Sequence, residues 1–430
     1  MTTTTRNLSL DLMTRVEGEG AFDVTFDGDR VARAELRIFE PPRFFEAFLR
    51  GRSALETPDI TARICGICPV AYQTSACNAV EDALGVRLDP MIAALRRLLY
   101  CGEWISSHAL HIYLLHAPDF LGYPDAMTMA ADHREAVERG LALKKTGNQL
   151  LELLGGRAVH PVNVRVGGFY SLPSDADLQV MAGRLRTALE AAVQTVHWVA
   201  GFEFPELEVD HDLLAAHTPE QYAIETGTVT TSTGLRFEAA QFAEHVVESQ
   251  APYSTALQAR LDGRRYLTGP LARYSLNSAQ LSPLAAEAAR SAGLGAQCRN
   301  PFRAIVVRAV EVVYAIEEAL RIIDDYRRPA RPFSAVTPGP GTGHGVSEAP
   351  RGLLYHRYAL DAEGMVTAAN IVAPTSQNQG AMEHDLTTVA TANNGLDDAA
   401  LTTLCERTIR CYDPCISCAA HFLTVRVRRR

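Results

Sequence analysis

No stretch of this 430-residue chain offers about 18 consecutive uncharged apolar residues, so none has the length of a membrane-spanning helix. The N-terminus, "MTTTTRNLSLDLMTRVEGEG", also lacks the apolar core of a secretory leader. Positive charge is not in excess. The net charge is −9, and the short "RVRRR" at the end is too brief to make a nucleic-acid footprint. Internal repeats, low-complexity tracts and heptads are absent, which excludes solenoids and coiled coils. The nine cysteines (65, 68, 77, 101, 298, 405, 411, 415, 418) are an odd number in a chain long enough to bury a full core. A secreted disulfide scaffold is therefore a poor fit, and metal binding or reduced thiols a better one.

What is present reads as an ordinary globular composition, 47% hydrophobic and 21% charged. At about 150 residues per domain the length suggests two or three units. The stretch 203–220 is the only linker candidate, and nothing on either side of it marks a separate domain. We read one unit over 1–430, with a β-rich portion at 1–60, a mainly helical body at 61–330 and a loop, hairpin and metal-binding segment at 331–430.

"GAFDVTFDGDRVARAEL" from residue 20 alternates apolar and polar residues around an Asp-Gly turn and predicts a β-hairpin. Helical spacing then predicts helices near 90–116, 131–154, 175–201, 283–293, 302–327 and 397–410. "RRPARPFSAVTPGPGTGHGVSEAPRG", residues 327–352, is dense in Pro and Gly and reads as loop, followed by a second hairpin in "YHRYALDAEGMVTAANIVAP". The fold class is mainly α with smaller β-hairpin and sheet regions, α+β, around a long helical bundle. "GPGTGHG" lacks the Lys-Ser/Thr of a phosphate loop and follows a helix, so it reads as a connector.

Two Cys-x-x-Cys pairs stand near opposite ends, in "RICGIC" and "DPCISC". Each sets two thiolates at the reach of one soft metal ion, and together they supply four sulfurs. Structural zinc is the generic reading. Zinc modules, however, place their pairs close together, because closing a short loop around the ion is what folds them. A large chain needs no such staple, so the spacing leans toward metal chemistry without deciding it. Cys77, Cys101, Cys298, Cys405 and Cys411 read as buried inert thiols. His108, His111 and His116 in "SSHALHIYLLHAPDF" read as core histidines rather than ligands. Asp119, between Pro118 and Phe120, is not simple solvated surface.

Taken together, "RVEGEG" (15–20), "RICGIC" (63–68), "SHALHIYLLHAPDF" (107–120), "EAPRGLL" (348–354), "VAPTSQN" (372–378) and "DPCISCAAH" (413–421) resemble the large subunit of nickel-iron hydrogenases, in the family's order from end to end. The resemblance implies reversible cleavage of H2 to protons and electrons. It implies a nickel held by Cys65, Cys68, Cys415 and Cys418, with Cys68 and Cys418 bridging to an iron that carries carbon monoxide and cyanide. Four thiolates and two cyanides carry more negative charge than two divalent metals cancel, so cationic support is expected. Arg351 matches the family arginine over the open metal position, Asp119 the aspartate that pairs with it, and Thr375 the hydroxyl that donates to cyanide. Pro374 with Val372 would form an apolar wall. Glu17 resembles the glutamate that takes the proton from Cys415. Glu46, the carbonyl of Ile371 and His421 match a magnesium-like site.

The resemblance also implies partners: a small subunit carrying the iron-sulfur clusters, diaphorase-type subunits and a maturation endopeptidase that removes the residues after His421. "PTSQNQG" is most like the cytoplasmic NADP-linked and sulfur-reducing branch. A cytoplasmic, NAD(P)-linked enzyme is expected. Tyr72 departs from the pattern, standing where many members have histidine. The related complex I subunit shares the fold but lacks the four cysteines, and zinc alone in the protein would favour a structural scaffold.

Overall fold

The computed structural model describes residues 5–420. The N-terminal hairpin forms as its alternation predicts, with Gly20–Asp27 antiparallel to Arg30–Ile38 and a further strand, Thr5–Leu10, on the other edge. One face presents Leu8, Phe22, Val24, Phe26, Leu36 and Ile38 to the core. Helix Pro374–Ala392 covers that sheet and is tied to it at Leu36, whose N–H donates to Glu383 (3.1 Å) and whose carbonyl accepts from Gln379 (3.0 Å).

The body is a bundle of long helices, Pro69–Leu84, Pro90–Leu110, Arg134–Gly155, Asp175–Ala200 and Ala304–Asp324. Asp89 and Ser174 cap their helices by accepting from Met91 N–H (2.8 Å) and Asp177 N–H (3.1 Å). Ala304–Asp324 is buried almost all round, as expected of a helix apolar on every side, and runs through the centre. Pro90–Leu110 does not stop at its predicted end. It continues as a π-helical stretch, His111–His116, into Ala117–Leu121. Residues 203–220 are not a linker but an extended segment leading into the strand Asp212–His217, part of a four-stranded sheet that the sequence did not announce.

The glycine-rich connector is the main correction. Residues 341–349 are a strand, paired antiparallel with Gly352–Leu360, which pairs in turn with Val366–Val372. Gly341, Gly343 and Gly345 recur every second residue on the face that meets helix Pro69–Leu84. A Cβ at Gly343 would lie 2.1 Å from the carbonyl oxygen of Ala79, and one at Gly345 2.5 Å from that of Ser75. The glycines are there because strand backbone rests directly on helix backbone.

Candidate metal centre

The first cysteine pair is shaped by a short turn between two helical elements. Cys65 is extended and ends the turn Ala62–Ile64, while Cys68 opens helix Pro69–Leu84 with Pro69 in its first turn. The N–H groups of Ile67 and Cys68 both point at the Cys65 sulfur, at 3.3 Å each. At the other end, Asp413 takes a left-handed conformation (φ 51°) and turns the chain into Cys415, which opens the short helix Ile416–Ala419. The Cys415 N–H donates to Thr375 Oγ1 at 2.9 Å, which leaves the hydroxyl proton of Thr375 free to donate elsewhere.

The four thiols meet. All are buried, and their sulfurs lie within 4.8 Å of one another; Cys65 and Cys415 are 3.5 Å apart. Burial pushes the Cys415 thiol well above the ordinary thiol range, while hydrogen bonding among the sulfurs, chiefly with Cys415, holds Cys65 well below it. Four crowded sulfurs cannot all be thiolates without cations among them. None of the other five cysteines, and no histidine among the described residues, joins this group.

Glu17 reaches the cluster from the N-terminal segment. Its backbone pairs with the Cys415 segment, its carbonyl accepting from Ile416 N–H at 3.0 Å. Its Oε2 accepts from the Cys415 thiol and from Ser417 N–H, both at 3.1 Å. Arg351 stands on the turn between two paired strands, and its side chain is buried. Nε and Nη2 donate to the carbonyl and carboxylate of Asp413 (2.9 and 3.1 Å), whereas Nη1 has no hydrogen-bond partner among the described residues. Burial works against this guanidinium, but the Asp413 carboxylate, and the cysteine sulfurs where ionised, hold it charged.

Asp119 does not pair with Arg351. It accepts from Arg15 and, at 2.8 Å, from Arg410. Both guanidinium groups share its Oδ1, and Asp413, next to the second cysteine pair, is the carboxylate that pairs with Arg351. Glu46 accepts from Ile371 N–H at 2.8 Å, so these two expected neighbours meet; His421 lies outside the described residues. Pro374 starts its helix directly before Thr375. His108 Nε2 approaches Glu311 to 2.9 Å, His111 bonds the carbonyl of Arg410 (2.9 Å), and His116 faces the Cys411 sulfur (3.7 Å), all in the core.

Three residues were missed. Arg43 donates to the carbonyls of Ile64 (2.6 Å) and Ser417, the residues immediately before Cys65 and Cys418, and its own N–H donates to Ala420 (2.8 Å). Glu103, fully buried, accepts from Val70 N–H (2.6 Å) and Ala71 N–H (3.1 Å) and so caps the helix whose own capping residue is Cys68. Glu248 bonds the Ser376 hydroxyl at 2.9 Å, and burial pushes its carboxyl up to about 8. An arginine after two prolines and a glutamate inside an apolar helix carry no local sign of such contacts. Tyr72 is buried with its hydroxyl bonded to no protein nitrogen or oxygen, and its surroundings are the sulfurs of Cys418, Cys68 and Cys415.

A family model for nickel-dependent hydrogenases matches residues 43–142 and 208–421. The chain belongs to the nickel-dependent hydrogenase family. It is 35% identical over 420 residues to the sulfhydrogenase 1 subunit alpha of Pyrococcus furiosus, covering 96% of this chain and 97% of that one. It is 28% identical to the NAD-reducing hydrogenase HoxS subunit beta of Cupriavidus necator, covering 97% and 95%. The crystal structure of an NAD+-reducing [NiFe]-hydrogenase in the H2-reduced state superimposes with a TM-score of 0.87 at 28% identity, covering 97% of this chain and all of the other. This hydrogenase chain is therefore a catalytic large subunit, and its relatives are named as subunits of larger enzymes. No helix among the described residues is long and apolar enough to cross a membrane.

The residues fit a nickel-iron group. Four soft sulfur donors converge in a buried site, and the unpartnered Nη1 of Arg351 and the free hydroxyl proton of Thr375 are donors left over beside them.

Proposed function

We propose that Cys65 and Cys415 would hold a nickel, that Cys68 and Cys418 would hold it together with an iron carrying carbon monoxide and cyanide, and that Glu17 takes protons away from Cys415. When bound, the group supplies the Lewis acidity and redox capacity for H2 ⇌ 2 H+ + 2 e−. The protein supplies the rest. Cys415 Sγ holds the proton and Glu17 Oε2, 3.1 Å away, receives it. Arg351 Nη1 and the Thr375 hydroxyl would donate to the charged ligands of the iron, with Asp413 fixing the guanidinium plane. Pro374 and Val372 would form an apolar wall for carbon monoxide. Asp119 contributes at a distance, by ordering Arg410 and Arg15.

Electrons leave through partners, because the five cysteines outside the cluster are scattered and make no iron-sulfur set. We infer a small subunit bearing those clusters, diaphorase-type subunits that pass electrons to NAD(P), a maturation endopeptidase and a cytoplasmic setting, on the likeness to sulfhydrogenase and NAD-reducing hydrogenase subunits. Glu46, the Ile371 carbonyl and His421 would hold a magnesium-like ion.

The observation that carries this reading is the meeting of four buried thiols with the Glu17 carboxylate on one of them. Metal analysis with infrared spectroscopy of the purified enzyme tests it. Nickel together with iron, and carbonyl and cyanide bands, are expected; zinc alone, or active enzyme without those bands, would overturn it.

A further inference from the structure

Arg351 is carried on the tip of a hairpin. Strand 341–349 and strand 352–360 are joined by Pro350 and Arg351 alone, and such two-residue tips usually sit in solvent. Here the tip is buried, so its carbonyls need donors. One side chain from another part of the chain provides them. Arg273, on helix Pro270–Asn277 and wholly buried, donates through Nη1 to the carbonyl of Ala349 (2.6 Å) and through Nη2 to that of Pro350 (3.0 Å). The same guanidinium forks onto Glu311, with Nε and Nη2 each 2.9 Å from its two oxygens, and reaches Glu348 at 3.0 Å. The guanidinium carbon stands over the Trp104 ring, 4.5 Å from its centre, and Trp104 donates its own N–H to the Glu348 carbonyl at 2.9 Å.

The grip is rigid on both sides. Glu311 is held by His108 (2.9 Å) and the Tyr222 hydroxyl (2.9 Å), and Glu348 accepts from Ala216 N–H at 2.7 Å. The segment that leads into Arg273 packs flush against the tip, since a Cβ at Gly269 would fall 2.7 Å from the Arg351 carbonyl. Leu353 N–H, just past the tip, donates to Thr268 Oγ1 at 2.9 Å.

We propose that Arg273 is a positioning residue for the hydrogenase reaction, holding the Ala349–Pro350 backbone so that the Arg351 guanidinium meets the metal centre in one fixed orientation. A guanidinium is needed for this, because five donors in one plane serve two carboxylates and two carbonyls at once, and an ammonium cannot. The proposal rests on the role given to Arg351 above.

The test uses the purified, metal-loaded holoenzyme with its partner subunits. Arg273→Lys should lower kcat for H2 oxidation about tenfold to hundredfold with KM little changed, the loss expected when a reacting group is displaced by about an ångström. Nickel and iron content should stay at the wild-type level. The infrared bands of the iron's ligands should move in the same direction as in Arg351→Lys, and in an Arg351→Lys background Arg273→Lys should cost nothing further. If Arg273→Lys yields no folded protein, Pro350→Gly loosens the same tip and leaves the buried ion network intact, and the same non-additive loss is expected. A metal-replete Arg273→Lys or Pro350→Gly enzyme with unchanged kcat and bands overturns the proposal, as do losses that multiply with that of Arg351→Lys. An Arg351→Lys enzyme at full rate overturns the role of Arg351 and this proposal with it, whereas a costly Arg351→Lys beside a silent Arg273→Lys overturns only the latter.

Discussion

The sulfur of Cys65 lies 3.5 Å from that of Cys415, although 350 positions of chain separate the two residues. Everything that shapes the metal centre follows from bringing two remote turns into one place and keeping them there.

Arg43 is the direct link between those turns, since one guanidinium nitrogen serves the carbonyls before Cys65 and before Cys418. Arg43→Met should leave both carbonyls unpaired and weaken metal retention about tenfold to hundredfold, in the range of other supporting contacts around metal ligands. Nickel and iron content after dialysis against a chelator measures this. Full retention would show that the sulfurs alone hold the site.

Glu17→Gln keeps an oxygen to accept from Ser417 N–H but cannot receive a proton from Cys415. Turnover should drop by about 10²- to 10⁴-fold, the usual worth of a positioned acid-base group. Metal content and the infrared bands should be unaltered. A variant that turns over normally would place the proton exit elsewhere.

Gly343→Ala would set a methyl group 2.1 Å from the Ala79 carbonyl, and neither backbone can yield without disturbing the sheet or the helix. We expect a loss of about 1–3 kcal/mol, seen as a lower Tm. Gly183→Ala is the matched control. Its added carbon meets nothing within 4 Å in the interior of a helix, so it should hold or raise Tm.

Burial raises the Glu248 carboxyl from 4.5 to about 8, with the Ser376 hydroxyl opposing and the charge of Glu46 adding to the rise. The folded protein thus keeps this proton at pH values where the unfolded chain has lost it. The stability it contributes is present in full below about pH 4.5 and is lost as pH rises through about 8. In Glu248→Gln that part of the decline in Tm should vanish. Parallel Tm curves for the two proteins would rule the contribution out.

The parts of this protein legible in its sequence are those with a local signature. Alternation around Asp27-Gly28 marks the first hairpin, 3.6-residue spacing marks the long helices, and two Cys-x-x-Cys pairs mark the four thiols that meet. What was not legible depends on the other side of a contact. Gly341, Gly343 and Gly345 look like loop until helix Pro69–Leu84 is laid against them. Asp119 looks like a partner for Arg351 until Arg15 and Arg410 are seen to claim it. Arg43, Glu103 and Arg273 act on backbone amides and carbonyls, and a backbone group leaves no letter in the sequence.

The strand that rests on helix backbone through its glycines ends at the hairpin tip that carries Arg351. From Gly341 to Gly345 the strand puts no side chain of its own between itself and the helix, and beyond them the Ser347 and Ser75 hydroxyls close the layer at 2.7 Å. The helix begins at Cys68 and the strand ends beside Arg351. The layer therefore works as a spacer of main chain and small hydroxyls between the helix that follows a sulfur and the hairpin tip that carries a guanidinium.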